Sequence, residues 1–206
     1  MSNYPETEQR IREAAFRALT RHGYADLSIK DIGDELGQNP SLIYHYFDSK
    51  DELLLSMLDV FVEIFAGQRA EQPITDPEAE LRQFIDQVLS PQPEQVEQVL
   101  FSPPPDIQQG VSRVFVELWA HATWDDEFRA ETTQVENRLR DTVIEILRAG
   151  IELDQFQPVE PEQTADHLLF LLKQTIHTRT TTNRDDATER GQTIIDGVID
   201  DISVES

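Results

Sequence analysis

The sequence has no cysteine in 206 residues. That excludes disulfides, thiolate zinc sites and cysteine nucleophiles together. Lysine is nearly missing, standing only at Lys30, Lys50 and Lys173. No apolar run reaches the roughly eighteen residues a membrane-spanning helix needs. The opening MSNYPETEQR lacks the apolar stretch of a secretory signal, so a cytoplasmic protein is expected. Strand-like alternation and internal repeats are also wanting. So are a glycine-rich phosphate loop, a G-x-S-x-G elbow, an H-E-x-x-H pair and the E-x-x-H pairs of di-iron bundles, which leaves an enzyme without its usual furniture. No cofactor is implied.

Positive charge is scarce. Seventeen Lys and Arg face forty Asp and Glu, for a net charge of −23. Such a chain repels nucleic acid unless something compensates. The deficit is uneven: residues 1–55 hold six basic residues (Arg10, Arg12, Arg17, Arg21, Lys30, Lys50) against ten acidic ones, a net of −4, leaving −19 for the rest. Few lysines, many carboxylates and no excess of large aliphatics make a halophile-like composition. In molar salt, little counterion-release gain remains to be lost, and binding leans on shape, hydrogen bonds and apolar contact.

Helical periodicity runs almost throughout. In residues 6–21, Ile11, Ala14, Ala15, Ala18 and Leu19 fall at i, i+3, i+4, i+7 and i+8, one helical face. Gly23 is a stop. Ser28 with Asp31 three residues on is a capping box opening a short helix, whose buried face is Ile29, Ile32 and Leu36 and whose end is Gly37. Asn39 caps the next helix, Pro40 suits its first position, and it runs to Tyr46. Ser49 caps a longer helix towards Gln68. Amphipathic stretches follow at 77–89, 107–123, 125–153, 161–182 and 185–203. Residues 90–106 hold five of the eleven prolines and read as an irregular connection around a short helical piece. The expectation is an all-α fold of about nine helices.

Two short helices joined by a tight turn, the second with its own N-cap, form the skeleton of a helix-turn-helix. Its first helix braces and its second enters the major groove. In NPSLIYHYF, Ile43 and Phe47 at i, i+4 face the core, leaving Ser41, Leu42, Tyr44 and His45 outward. A small helical bundle with an aromatic packing cluster has the same pattern, and periodicity alone does not separate the two.

The stretch LSIKDIGDELGQNPSLIYHYFDSKDELLLSML resembles the N-terminal domain of the TetR family of one-component transcriptional regulators over about residues 8–60. VFVELWAHATWDDEFRAE and RAGIELDQFQPVEPEQTADHLLFLLKQTI resemble that family's ligand-binding and dimerising half. The resemblance implies a helix-turn-helix DNA-binding domain in residues 1–52 and an effector-binding and dimerisation domain in 53–206. Ser28 and Lys30 would touch phosphate. Asn39, Pro40, Ser41 and Leu42 would start the reading helix near base edges. Tyr44 would meet phosphate or a thymine methyl, with His45 and Tyr46 beside it, and Lys50 would pin a phosphate. The family often carries Lys and Thr-like residues where this sequence has Pro40 and Leu42. Leu42 offers a thymine methyl an apolar contact but no hydrogen bond.

The resemblance also implies a homodimer, through helices 161–182 and 185–203, on a palindromic double-stranded operator. It implies a small hydrophobic or amphipathic effector that releases the operator, with repression as the default. Phe61, Phe65, Phe84, Phe115, Trp119, Trp124 and Phe170 are the candidate ligand lining. The alternative is a DNA-binding protein without an effector, architectural or answering to a protein partner; a retained aromatic cavity favours the ligand-released regulator and a filled one the partner reading. Glu117 and His121 share a helix face at i, i+4, as metal ligands do, but five histidines and no cysteines do not amount to a built metal site.

Overall fold

The computed structural model describes residues 6–65 (side chains through 58), 73–92, 96 and 107–204. Among them, nine helical elements have both bounds: α1 (Glu6–His22), α2 (Ile29–Leu36), a 3-10 helix (Pro40–His45), α3 (Lys50–Phe65), α4 (Pro77–Leu89), α5 (Ile107–His121), α6 (Asp126–Glu152), α7 (Pro161–Thr181) and α8 (Ala187–Ile202). The fold is all-α. Its nearest approach to a sheet among the described residues is one isolated bridge between Phe156 and Ser203. Val96 is helical and buried, while most of the proline-bearing segment lies outside the described residues. No helix among the described residues is long and apolar enough to cross a membrane.

The chain packs as two compact units. The first comprises residues 1–64 and 92–135. Its α1 buries the face the periodicity marks, with Ile11, Ala14, Ala15, Ala18 and Leu19 at 1% exposure or less. α2 and α5 pack on α1, and the 3-10 helix packs on α2; Ile32 of α2, Ile43 of the 3-10 helix and Leu53, Leu54 and Leu58 of α3 are buried in the same unit. Small alanines on this face let α2 and α5 approach α1 closely.

The second unit comprises residues 65–91 and 136–206. Leu81, Phe84, Ile85 and Leu89 of α4 are buried in it, as are Leu168 and Leu172 of α7 and Ile195 and Ile199 of α8. α7 and α8 cross closely at Gly191, where any side chain would run into Thr175. Arg82 of α4 ties the helices at their rim through Glu78 (2.9 Å), Asp196 (3.1 Å) and Asp200 (2.5 Å).

Candidate nucleic-acid interface

The bracing helix starts where local chemistry says it should. Ser28 has extended backbone, its hydroxyl accepts from the Asp31 amide at 3.3 Å, and its own amide donates to Asp31 Oδ2 at 2.9 Å. This reciprocal box satisfies two amides that the first turn leaves without partners. Hydrogen bonds from the Ser28 hydroxyl, and next from its amide, hold the Asp31 carboxyl below its usual range. The helix ends at Gly37, whose φ of 68° is left-handed and favours glycine. Two residues later Asn39 accepts from the Ser41 amide at 2.9 Å, and Pro40 follows at the first helical position.

The reading element is a 3-10 helix, where the sequence pattern predicts an ordinary short helix to Tyr46. Leu42 donates to Asn39 O and Tyr46 to Ile43 O, each at 2.9 Å. The element is only six residues long, and short pieces are where 3-10 closure is common. The helix faces follow the expected division. Ile43 is 0% and Phe47 5% exposed, while Tyr44 is 57% and Tyr46 39% exposed. Ser41 and His45 are also exposed, Leu42 and Pro40 half-exposed, and Asn39 is open at the turn.

Most of the basic residues of this region are engaged within the protein. Arg12 is buried, donates to Ser56 Oγ at 2.9 Å and lies over the Phe47 ring. Arg17 and Arg21 both reach Glu35, at 3.4 and 2.6 Å. Lys50, expected at a phosphate, turns inward. Its ammonium donates to the carbonyls of Tyr24 and Leu27, both at 3.1 Å, and sits 4.2 Å from the Tyr24 ring centre. That spends two of its three hydrogens on the loop between α1 and α2. Lys30 and Arg10 stay exposed.

Tyr24 is a residue the sequence pattern does not single out. Its hydroxyl donates to Asp51 Oδ1 at 2.8 Å and lies 2.7 Å from His121 Nε2. Its ring lies 3.8 Å from that of His121, and its amide donates to Glu117 Oε2 at 3.2 Å. Burial, then the Asp51 carboxylate, pushes the phenol's ionisation well above its ordinary value. Glu117 and His121, whose spacing suits a metal, thus meet a tyrosine. Among the described residues no group of three or more His, Cys, Asp or Glu is arranged to hold a metal ion. The only sequence signal for this cluster is the i, i+4 pair itself.

The candidate effector residues are scattered. Phe61 and Phe65 have their backbones in α3 and their side chains outside the described residues. Phe115 and Trp119 of α5, both half-buried, stack on one another with ring centres 3.6 Å apart. In the second unit, Phe84 is core at 4% exposure. Trp124 and Phe170 are 87% and 64% exposed, too open to line an enclosed space in the single chain.

Comparison with known proteins connects these features. Residues 11–57 match the family described as bacterial regulatory proteins, tetR family. Residues 77–202 match the family described as BetI-type transcriptional repressor, C-terminal. A helix-turn-helix-type transcriptional regulator from the lacX 3' region of Lactococcus lactis is 28% identical over 71% of each chain. A TetR transcription regulator from Haloarcula marismortui superposes with a TM-score of 0.82 at 25% identity, covering 98% of this chain and 100% of that one. A transcriptional regulator from Saccharomonospora viridis, solved in complex with choline, gives 0.79 at 25% identity over 98% and 99%.

Proposed function

The chain belongs to the TetR family of bacterial transcriptional regulators, and from that premise we propose that it represses transcription as a homodimer on a palindromic operator, released by a small amphipathic effector. One observation carries the DNA-reading part: exposed Ser41, Tyr44, His45 and Tyr46 stand over buried Ile43 and Phe47 on an element capped at its start. Side chains on that outward face are the ones a major groove would meet. Ser28 and Lys30 at the start of α2 would take phosphate. Lys50 would contribute by holding the α1–α2 loop, with one hydrogen left for a phosphate oxygen. Residues 1–52 form the reading portion and 53–206 the effector and dimer portion.

A single short element reads too few base pairs, so twofold pairing through 161–182 and 185–203 doubles the site. The effector class we assign is a quaternary ammonium of the choline kind. The match of 77–202 to a BetI-type repressor and the choline in the Saccharomonospora relative support it. Aromatic faces attract such cations, and of the candidate lining residues Phe115 and Trp119 are the half-buried pair. The acidic composition and the Haloarcula relative support work in a salt-rich cytoplasm.

A second reading, an effectorless DNA-binding protein answering to a protein partner, draws on the core position of Phe84 and the open positions of Trp124 and Phe170. The test is selection of bound DNA from a random pool in high KCl. An enriched inverted repeat is the expected result; a folded dimer that enriches nothing overturns the operator reading. Choline chloride titrated onto the selected complex then releases the protein on the effector reading and leaves it bound on the second.

A further inference from the structure

α5 meets the N-terminal helices along one stripe. Gly110, Arg113, Glu117 and His121 stand at i, i+3, i+7 and i+11, a single line on a helix. Each has a partner in α1 or in the loop after it. Gly110 lies against Phe16 and Thr20, where a side-chain carbon would come within 3.1 Å of the Phe16 ring. Arg113 donates to the Thr20 carbonyl at 2.6 Å. Glu117 accepts from the Tyr24 amide, and its Oε1 lies 3.2 Å from where a side chain on Gly23 would begin. His121 closes the line on the Tyr24 hydroxyl.

From Tyr24 the connection continues into the reading head. Its carbonyl holds the Lys50 ammonium, its hydroxyl holds Asp51, and these two residues begin the helix that follows the reading element. Lys50 also holds the carbonyl of Leu27, the residue before the α2 cap. One side chain thereby fixes both the entry to the bracing helix and the start of α3. The protons fit one arrangement. A phenol has a single hydrogen; with it on the Asp51 carboxylate, the contact with His121 requires the imidazole to donate from Nε2.

We infer that Tyr24 and His121 are positioning residues for DNA reading, and that α5 sets the orientation of the reading head through them. The inference rests on the operator function proposed above and goes beyond it by naming the residues that fasten head to α5.

The test uses the full-length protein and three substitutions. Tyr24→Phe removes the shared hydroxyl. His121→Phe keeps a ring against Tyr24 and removes the N–H. His121→Gln gives up the ring and keeps an amide N–H. Circular dichroism selects the folded variants, and Tyr24→Phe stands in if His121→Phe does not fold. In DNA-free protein, amides of residues 24–36 exchange about tenfold faster in both Phe variants and return towards the parent rate in His121→Gln, while those of α7 and α8 do not change. Binding to the selected operator weakens by a similar factor, and the Tyr24→Phe, His121→Phe double variant is no weaker than either single one. Unchanged exchange, additive losses, or a Gln variant that behaves as the Phe variant overturns the inference. If the parent protein selects no DNA, the operator reading fails, and the exchange measurement still decides whether Tyr24 and His121 fasten the N-terminal helices to α5.

Discussion

Gly33 of the bracing helix and Pro40 of the reading helix touch. A side-chain carbon on Gly33 would lie 2.9 Å from Pro40 Cγ and 3.1 Å from the Gln38 carbonyl. The two helices therefore owe their angle to a missing side chain on one and a rigid ring on the other. Gly33→Ala is expected to destabilise the protein by roughly 1–3 kcal/mol through overpacking. Thermal unfolding measures it. An unchanged melting temperature would mean the turn relaxes freely.

Tyr44 is more than half exposed, so its ring contributes little to the core. Tyr44→Ala should cost about 1–3 kcal/mol of operator affinity, as a lost base-edge or phosphate contact does, and leave the oligomeric state and melting temperature alone. Fluorescence anisotropy and analytical ultracentrifugation read the two quantities. Loss of fold would place Tyr44 in the core.

The α4–α8 rim crowds carboxylates around one arginine. Arg82 serves Glu78, Asp196 and Asp200. Partial desolvation at the crowded rim, then the neighbouring Asp196, raises the Asp86 carboxyl above its ordinary range. A carboxyl whose folded pKa is raised favours folding while protonated. That contribution is present below the unfolded pKa and is lost as pH rises through the folded one. Asp86→Asn should therefore stabilise the protein near neutral pH and lose its advantage in acid. Because the side chain is exposed at the rim, the gain is small and shrinks in concentrated KCl. Melting temperatures across pH and salt test the sign.

Operator binding should survive molar KCl. Four of the six basic residues in 1–55 are engaged inside the head, which leaves few to release counterions from DNA. The slope of log affinity against log salt is expected to be shallow. A steep slope, with tight binding at low salt alone, would sink the salt-rich reading.

Helix ends were legible because the rules that set them act within a few residues. Ser28 with Asp31, Gly37, and Asn39 with Pro40 carry their geometry in the local sequence, and the structure places the caps there. The alanine-rich face of α1 and the inward pair Ile43 and Phe47 follow from helical period. The reading helix departs from expectation because periodicity marks a helix but not whether so short a piece closes as α or 3-10.

The amino-acid sequence by itself determined the all-α class, the capped two-helix reading head and the family to which the chain belongs. Tertiary structure alone decided what the polar residues do. Lys50 turns from an expected phosphate to two carbonyls, and Arg12 is spent on Ser56. Tyr24 meets His121 across 97 positions of chain. Period and capping operate over one or two helical turns, whereas a lysine or tyrosine finds its partner only once α5 has settled on α1. Which partner it finds depends on how those helices pack.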